Sequence, residues 1–398
     1  MTGWTLLQGA VYVLAFASAA YSVAAIVAAR RFFRGVPRVD EGPSRVGPEL
    51  APVSILKPIR GLDRETYENY ASFCRQDYPD FEILFCVTDE SDPAVPVIEQ
   101  LIHDFPERPI RLLIGAERVG ASDKVNKLCR MVREARHEIL IITDSDVRVE
   151  PGFLEAVSAP LRDPAVGGVT CLYRGLTDGS FPANLEALTN STDFAPGVLV
   201  AWMLGGGKLD FMLGAVMGIT KTHLAEIGGF ESLADYFCDD YELGNRLAAR
   251  GYPVELSRFP VDIVYPHESL GEAFRHQLRW NLSIRYSRPW GHVGLLFTQI
   301  LVWFLAGLFL TPFWLAELGF AAGYALLRRE MAVRTGVGGM KDPLARDQMW
   351  MLATRDLFAF IVWLVSFFPQ RIHWRDQQFY VENKRLVPTS SPGSKASL

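Results

Sequence analysis

The stretch Glu138-Ile139-Leu140-Ile141-Ile142-Thr143-Asp144-Ser145-Asp146 runs aliphatic residues straight into two carboxylates spaced two apart. An unbroken apolar run of this length, closed by a polar turn, predicts a strand buried on both faces. In open α/β sheets the ligand sits beyond the carboxyl ends of the strands, which is where Asp144 and Asp146 fall. A second run, Ile83-Leu84-Phe85-Cys86-Val87, leads in the same way to Asp89, Glu90 and Asp92. Around them, short apolar runs alternate with amphipathic stretches: Val53 to Lys57, Arg64 to Gln76, Glu82 to Val87, Pro93 to Phe105, Arg111 to Ile114, Lys124 to Ala135 and Glu138 to Thr143. That alternation predicts βα units and a largely parallel sheet, an α/β domain that starts near Val53.

Two carboxylates at a strand end can turn toward one hard cation, Mg²⁺ or Mn²⁺, and leave positions for diphosphate oxygens and water. Such a cation neutralises charge building on a leaving nucleoside diphosphate, as sugar-nucleotide transfer requires. A lone Asp-x-Asp is more often a solvated turn, and its place after a buried strand is what gives it weight. Asp89 and Asp92 are placed to accept hydrogen bonds from a base or ribose, or to support the metal; a polar turn closed by Pro93 is the bland alternative. Lys124 and Asn126, after Gly120, are candidates for holding the nucleotide, against the commonness of surface lysines.

Asp239-Asp240 opens a helical pattern through Leu247, where either side chain could simply cap the helix. Direct displacement needs one carboxylate to take the proton of the acceptor hydroxyl, and Asp240, with Asp239 beside it, is the candidate base. His276-Gln277-Leu278-Arg279-Trp280 follows, shortly before a long apolar segment. Arg279 can pair with a diphosphate and Trp280 can stack on a sugar ring, unless the two only anchor the chain at a membrane boundary.

With 398 residues, the chain has room for one sizeable domain plus membrane helices. A net charge of −5 with 49% hydrophobic residues points away from nucleic acid and from a disordered chain. Five scattered cysteines without a CxxC pair suit a reducing compartment. Leu6 to Ala29 carries no charge and, at ~1.5 Å per residue, is long enough to cross a ~30 Å hydrocarbon core. Arg30, Arg31, Arg34 and Arg38 follow it, which predicts a signal-anchor over residues 1–30 and a cytoplasmic domain after it, rather than a cleaved signal peptide.

Residues 31–52 read as a linker and 53–285 as the catalytic domain, with a membrane-contacting segment near 194–219. Only Glu317 is charged from Val293 to Leu327, which predicts a membrane hairpin over 293–327. Residues 351–385 read as an interfacial or re-entrant helix and a cytoplasmic segment, and 388–398 as a disordered tail.

The run Ser54-Ile55-Leu56-Lys57-Pro58-Ile59-Arg60-Gly61-Leu62-Asp63, then Asp77-Tyr78-Pro79, Phe85 to Pro93, Asp144 to Val149, Asp240-Tyr241, Trp374-Arg375 and Tyr380, resembles the ceramide glucosyltransferases. The resemblance covers nearly everything from Val53 to Tyr380. It implies a GT-A fold with N- and C-terminal transmembrane or interfacial helices, UDP-glucose as donor and a sphingoid lipid acceptor. It also implies a cytoplasmic active site and inversion to a β-glucoside. Carried over by motif, Asp92, Asp144 and Asp240 match the family's three essential aspartates, Arg279 and Trp280 end its (Gln/Arg)-x-x-Arg-Trp motif, and Lys57 joins the donor-binding residues. His276 departs from the Gln or Arg expected there.

A related bacterial group that adds amino sugars to hopanoid lipids is similar over the same motifs, and the choice of acceptor and sugar stays open. A processive polysaccharide synthase would need more spans than are visible, and a membrane scaffold or transporter would need ionisable residues inside them. A bacterial inner membrane is favoured over a Golgi membrane by the compact chain. The oligomeric state is open.

Overall fold

The computed structural model describes residues 3–34, 50–266, 269–311, 313–368, 372–374 and 377–388. Most of the expected linker, nearly all of the expected tail, and Arg375 lie outside the described residues. The chain begins with α1 (Gly3–Phe32) and enters the domain through β1 (Val53–Pro58), α2 (Thr66–Cys74), β2 (Phe81–Val87), α3 (Val95–Asp104), β3 (Ile110–Ile114), α4 (Asp123–Glu134) and β4 (Ile139–Thr143). It continues through β5 (Val147–Arg148), α5 (Phe153–Ser158), β6 (Gly168–Leu176), α6 (Phe181–Thr189), α7 (Ala195–Leu204), β7 (Val216–Thr220), α8 (Lys221–Glu226), α9 (Asp239–Ala249) and β8 (Val254–Val264). The last part comprises α10 (Leu270–Ser287), α11 (Pro289–Gly294), α12 (Ile300–Leu310), α13 (Trp314–Ala332), α14 (Pro343–Asp347), α15 (Leu352–Val365), β9 (Ile372–Trp374), β10 (Gln377–Glu382) and β11 (Arg385–Pro388).

Eight strands form one sheet in the order β3-β2-β1-β4-β7-β6-β8-β5. Every residue of β2, β4 and β7 is buried, and each such aliphatic side chain contributes about 1.5–3 kcal/mol relative to exposure. The expectation of a largely parallel sheet holds where the alternation was read: β1 pairs in parallel with β2 and β4, and β2 with β3. Beyond β4 it needs correction. β7 lies antiparallel between β4 and β6, and β5 is antiparallel to β8, so the whole sheet is mixed. The physical reason is connection: β7 is reached through two helices and a glycine-rich turn rather than a single crossover helix, and nothing then obliges it to run parallel.

The stretch 194–219 divides in two. Its first half is α7, whose Trp202 meets Phe32 of α1 edge to face at 5.0 Å and whose last residue, Leu204, is exposed. Its second half leaves the surface after Asp210 and turns inward, where Val216, Met217 and Ile219 belong to the buried β7. At its far end α1 packs on α12 and α13. A Cβ on Gly307 would lie 2.7 Å from Phe320, and one on Gly323 2.9 Å from Phe304, so glycines set how closely α12 and α13 approach. At 30 residues α1 is long and apolar enough to cross a membrane. The 11 residues of α12 reach roughly 16 Å, about half the hydrocarbon thickness, and α12 is bent by 49° from the helix before it.

Helix α15 exposes Leu357, Ile361 and Leu364 and buries Arg355 and Asp356 on its other side. Arg328 of α13 joins Asp356 at 2.8 Å and the Thr192 carbonyl at 2.7 Å, tying the apolar helices to the sheet domain. β9, β10 and β11 make a small sheet of their own. It returns to the main domain: Phe237 N–H donates to the Lys384 carbonyl and Leu386 N–H to that of Asp235.

Candidate active site

The site is built at the carboxyl end of β4. Next to it, on β1, Lys57 is fully buried, with Nζ donating to Thr143 Oγ1 at 2.9 Å and to the Asp144 carbonyl at 3.0 Å. Its ammonium also stands 3.9 Å from the Phe73 ring centre. Burial pulls its pKa down to about 7, against the opposing pull of Asp146 and Asp144. Lys57 therefore braces the strand end from behind.

Lys124, at the start of α4, takes the front. Ser122 accepts from Val125 N–H and caps that helix, which sets the first turn facing β4. Lys124 Nζ is 2.7 Å from Asp144 Oδ1 and 4.0 Å from Asp239 Oδ2. Burial opposes its charge, yet Asp144 and Asp239 hold the ammonium above the ordinary lysine range.

Asp240 arrives from a distant part of the chain at the N-terminus of α9, with Oδ1 accepting from Tyr241 N–H at 2.8 Å. A Cβ on Gly214 would lie 3.1 Å from Asp240 Oδ2 and 3.8 Å from Asp144 Oδ2, so both carboxylates converge on this glycine. Burial, then the charge of Asp239, pushes Asp240 up to about 7. Asp146 is likewise pushed up to about 7 by burial, then by Asp144 and Asp63. Asp63, which follows β1, accepts a hydrogen bond from Ser145 Oγ and so belongs to the cluster. Its signal in the sequence was its place just past a strand end.

Among the described residues no three His, Cys, Asp or Glu side chains form a metal site by themselves. The donor set nevertheless fits a hard cation that shares its shell with a diphosphate, for which one or two carboxylates suffice. Asp63, Asp144, Asp146, Asp239 and Asp240 crowd together against Lys57 and Lys124, and burial first, then that excess of negative charge, pushes Asp146 and Asp240 upward.

Other expected residues shape the rim. Asp92 accepts from Gly61 N–H with both oxygens, at 3.1 and 3.0 Å, and from Ala94 N–H, joining the loops after β1 and β2. Asn126 accepts from Val119 and Gly120 N–H, both at 2.9 Å, and donates to the Gly120 carbonyl, so its side chain holds the loop before α4. Asp89 is exposed, and its Oδ1 accepts from Ser91 N–H in a local turn.

Helix α10 begins with a reciprocal cap between Ser269 and Glu272 and carries the last motif along one wall. Trp280 meets Tyr173 at 6.0 Å, Phe194 at 5.9 Å and His276 at 5.3 Å between ring centres. Tyr173 in turn lies within electrostatic reach of Asp240, Asp144 and Asp146. Arg279 precedes Trp280 on the same helix. His276 Nδ1 pairs with Glu186 of α6, a residue the motif reading missed because it sits in an apolar helix with no motif around it.

A mixed sheet whose central strand empties into a carboxylate cluster, with the helix of Arg279 and Trp280 packed beside it, has the architecture of a GT-A domain. Its architecture is similar to that of the mannosyltransferase PcManGT from Pyrobaculum calidifontis in complex with GDP-Man and Mn²⁺, at TM-score 0.51 and 17% identity over 90% of this chain and 99% of that one. The model of glycosyl transferase family 21 matches residues 10–387, and the chain belongs to that family. Ceramide glucosyltransferase 1 of Caenorhabditis elegans is 32% identical over 215 residues, 54% of this chain and 46% of its own length. The ceramide glucosyltransferase of Komagataella phaffii is 36% identical over 139 residues, 34% of this chain and 27% of its own. The matched region thus spans about half or less of these relatives.

Proposed function

We propose that this protein is a membrane-bound inverting transferase that moves glucose from UDP-glucose to the primary hydroxyl of ceramide. The observation that carries the reading is the approach of Asp240, buried at the start of α9, to Asp144 across Gly214. The acceptor proton passes to the free Asp240 oxygen, and the acceptor oxygen attacks the anomeric carbon from the face opposite UDP. The bond from that carbon to the diphosphate breaks with its electron pair leaving on UDP, which inverts the centre to a β-glucoside. A carboxylate pushed toward neutrality by burial is a stronger base than a solvated one.

Asp144 and Asp146 would hold Mg²⁺ or Mn²⁺, which when bound neutralises the diphosphate. Lys124 keeps Asp144 in place, Lys57 fixes the strand end behind it, and Trp280 walls the sugar pocket. The Mn²⁺ in the Pyrobaculum enzyme and the ceramide substrate in the relatives' names support these assignments. A lipid acceptor also agrees with α1 and with the exposed apolar stripe on α15, which we read as interfacial.

The test uses the full chain in lipid nanodiscs with Mg²⁺ or Mn²⁺, offering UDP-glucose or UDP-N-acetylglucosamine and ceramide or a hopanoid polyol. Hexosylceramide that disappears with EDTA is the expected product by mass spectrometry. An N-acetylhexosaminyl hopanoid would replace both substrates and keep the site. No product together with no binding of UDP would reject the transferase reading.

A further inference from the structure

Behind Trp280 stands a pair that the transfer mechanism above does not use. Glu186 is buried to 1% side-chain exposure, and its Oε1 receives both His276 Nδ1 and, at 3.2 Å, Gln277 Nε2. Its Oε2 is buried without a hydrogen-bond partner among the described residues. A buried carboxyl oxygen left without a partner costs stability, and a purely structural contact would be served as well by an apolar side chain. The bond to Glu186 engages the Nδ1 edge of His276 and holds the ring in one orientation. That ring is 28% exposed and lies against Trp280 at 5.3 Å and Tyr265 at 6.3 Å. Tyr265 is itself fixed, exchanging hydrogen bonds with Asn190 at 3.0 and 3.2 Å.

We propose that Glu186 is a positioning residue that holds His276 so that its Nε2, the ring nitrogen not engaged by the glutamate, hydrogen-bonds a substrate oxygen. The inference rests on the transferase reading above. The partner chemistry is a hydroxyl, supplied either by the donor sugar or by the polar head of the lipid acceptor, and the two sources are separable by kinetics.

The experiment compares the wild type, Glu186→Gln, His276→Ala and the double variant, each as full chain in nanodiscs. Donor and acceptor are varied independently, and melting temperature and UDP affinity are measured alongside. Each single variant is expected to lose about tenfold in kcat/KM, the scale of one hydrogen bond, with UDP affinity unchanged. The loss follows the donor concentration if the sugar is the partner and the acceptor concentration if the lipid head is. The double variant is expected to be no worse than His276→Ala, since Glu186 acts through the histidine. Additive losses near a hundredfold, unchanged kinetics in either single variant, or a fall in UDP affinity and melting temperature that accounts for the lost rate would each overturn the assignment. A wild type inactive on every substrate would instead sink the transferase reading itself.

Discussion

Lys124 Nζ and Asp144 Oδ1 lie 2.7 Å apart, on the first turn of one helix and past the end of the central strand. The ammonium also faces Asp239 at 4.0 Å, so one cation serves two carboxylates in a cluster of five. Replacing it with a neutral group leaves those charges to repel. Because Asp144 is partly exposed, the loss is set between that of a surface and a buried pair, about 1–3 kcal/mol for Lys124→Gln. Calorimetry in EDTA checks this, and Mn²⁺ is expected to recover more stability in the variant than in the wild type. Equal recovery in both would mean that lysine and metal do not share Asp144.

The base assignment makes Asp240→Asn the decisive catalytic variant. Transfer is expected to fall by about 10²–10⁴-fold, the usual worth of general base catalysis, while UDP binds within a few-fold of normal. A variant that has lost UDP binding would show that Asp240 belongs to donor recognition instead.

Asp240 also predicts a pH profile. Burial raises its pKa to about 7, and only the deprotonated form accepts a proton, so kcat should fall about tenfold per pH unit below that value and level off above it. In Asp240→Asn the residual rate should lose this acid limb. A limb that persists in the variant would belong to another group.

Gly214 is where space rather than charge decides. A methyl group there would press on Asp240 Oδ2 at 3.1 Å, tighter than ordinary contact, and misplace the base. Gly214→Ala is expected to fold and to lose about 10–100-fold in kcat, since ångström-scale misplacement of a reacting group is felt on that scale. Wild-type kcat with a normal melting temperature would remove Gly214 from the mechanism.

The thiols offer an independent check of the fold. Cys74, Cys86, Cys129, Cys171 and Cys238 are unpaired and buried. Burial raises Cys86 to about 11 and the other four to about 12. A disulfide reagent at pH 8 should therefore titrate fewer than one thiol in the folded protein and all five after denaturation. Rapid reaction of two or more in the native state would contradict this packing.

Much of the fold was legible in the linear pattern. β1 to β4 and the three helices between them fall within a few residues of the expected runs, because a buried strand and an amphipathic helix each announce themselves by local periodicity. Asp144 and Asp146 were legible for the same reason, as polar residues closing an apolar run. β7 was not, since its Gly-rich surroundings suggested a membrane-dipping loop and only pairing with β4 makes it a core strand.

Lys57, Asp92 and Asn126 were legible as polar residues near strand ends, whereas the hydrogen bonds by which they brace those strand ends and loops were not. Sequence by itself determined the strand ends, their carboxylates and the long apolar helix, all of which depend on neighbours along the chain. Only the tertiary structure decided that Asp240 and Asp144 meet at Gly214, and that Glu186 reaches His276 across a separation of 90 residues. Charge repulsion and hydrogen bonding act through space, and those distances exist only after the loops between them have closed.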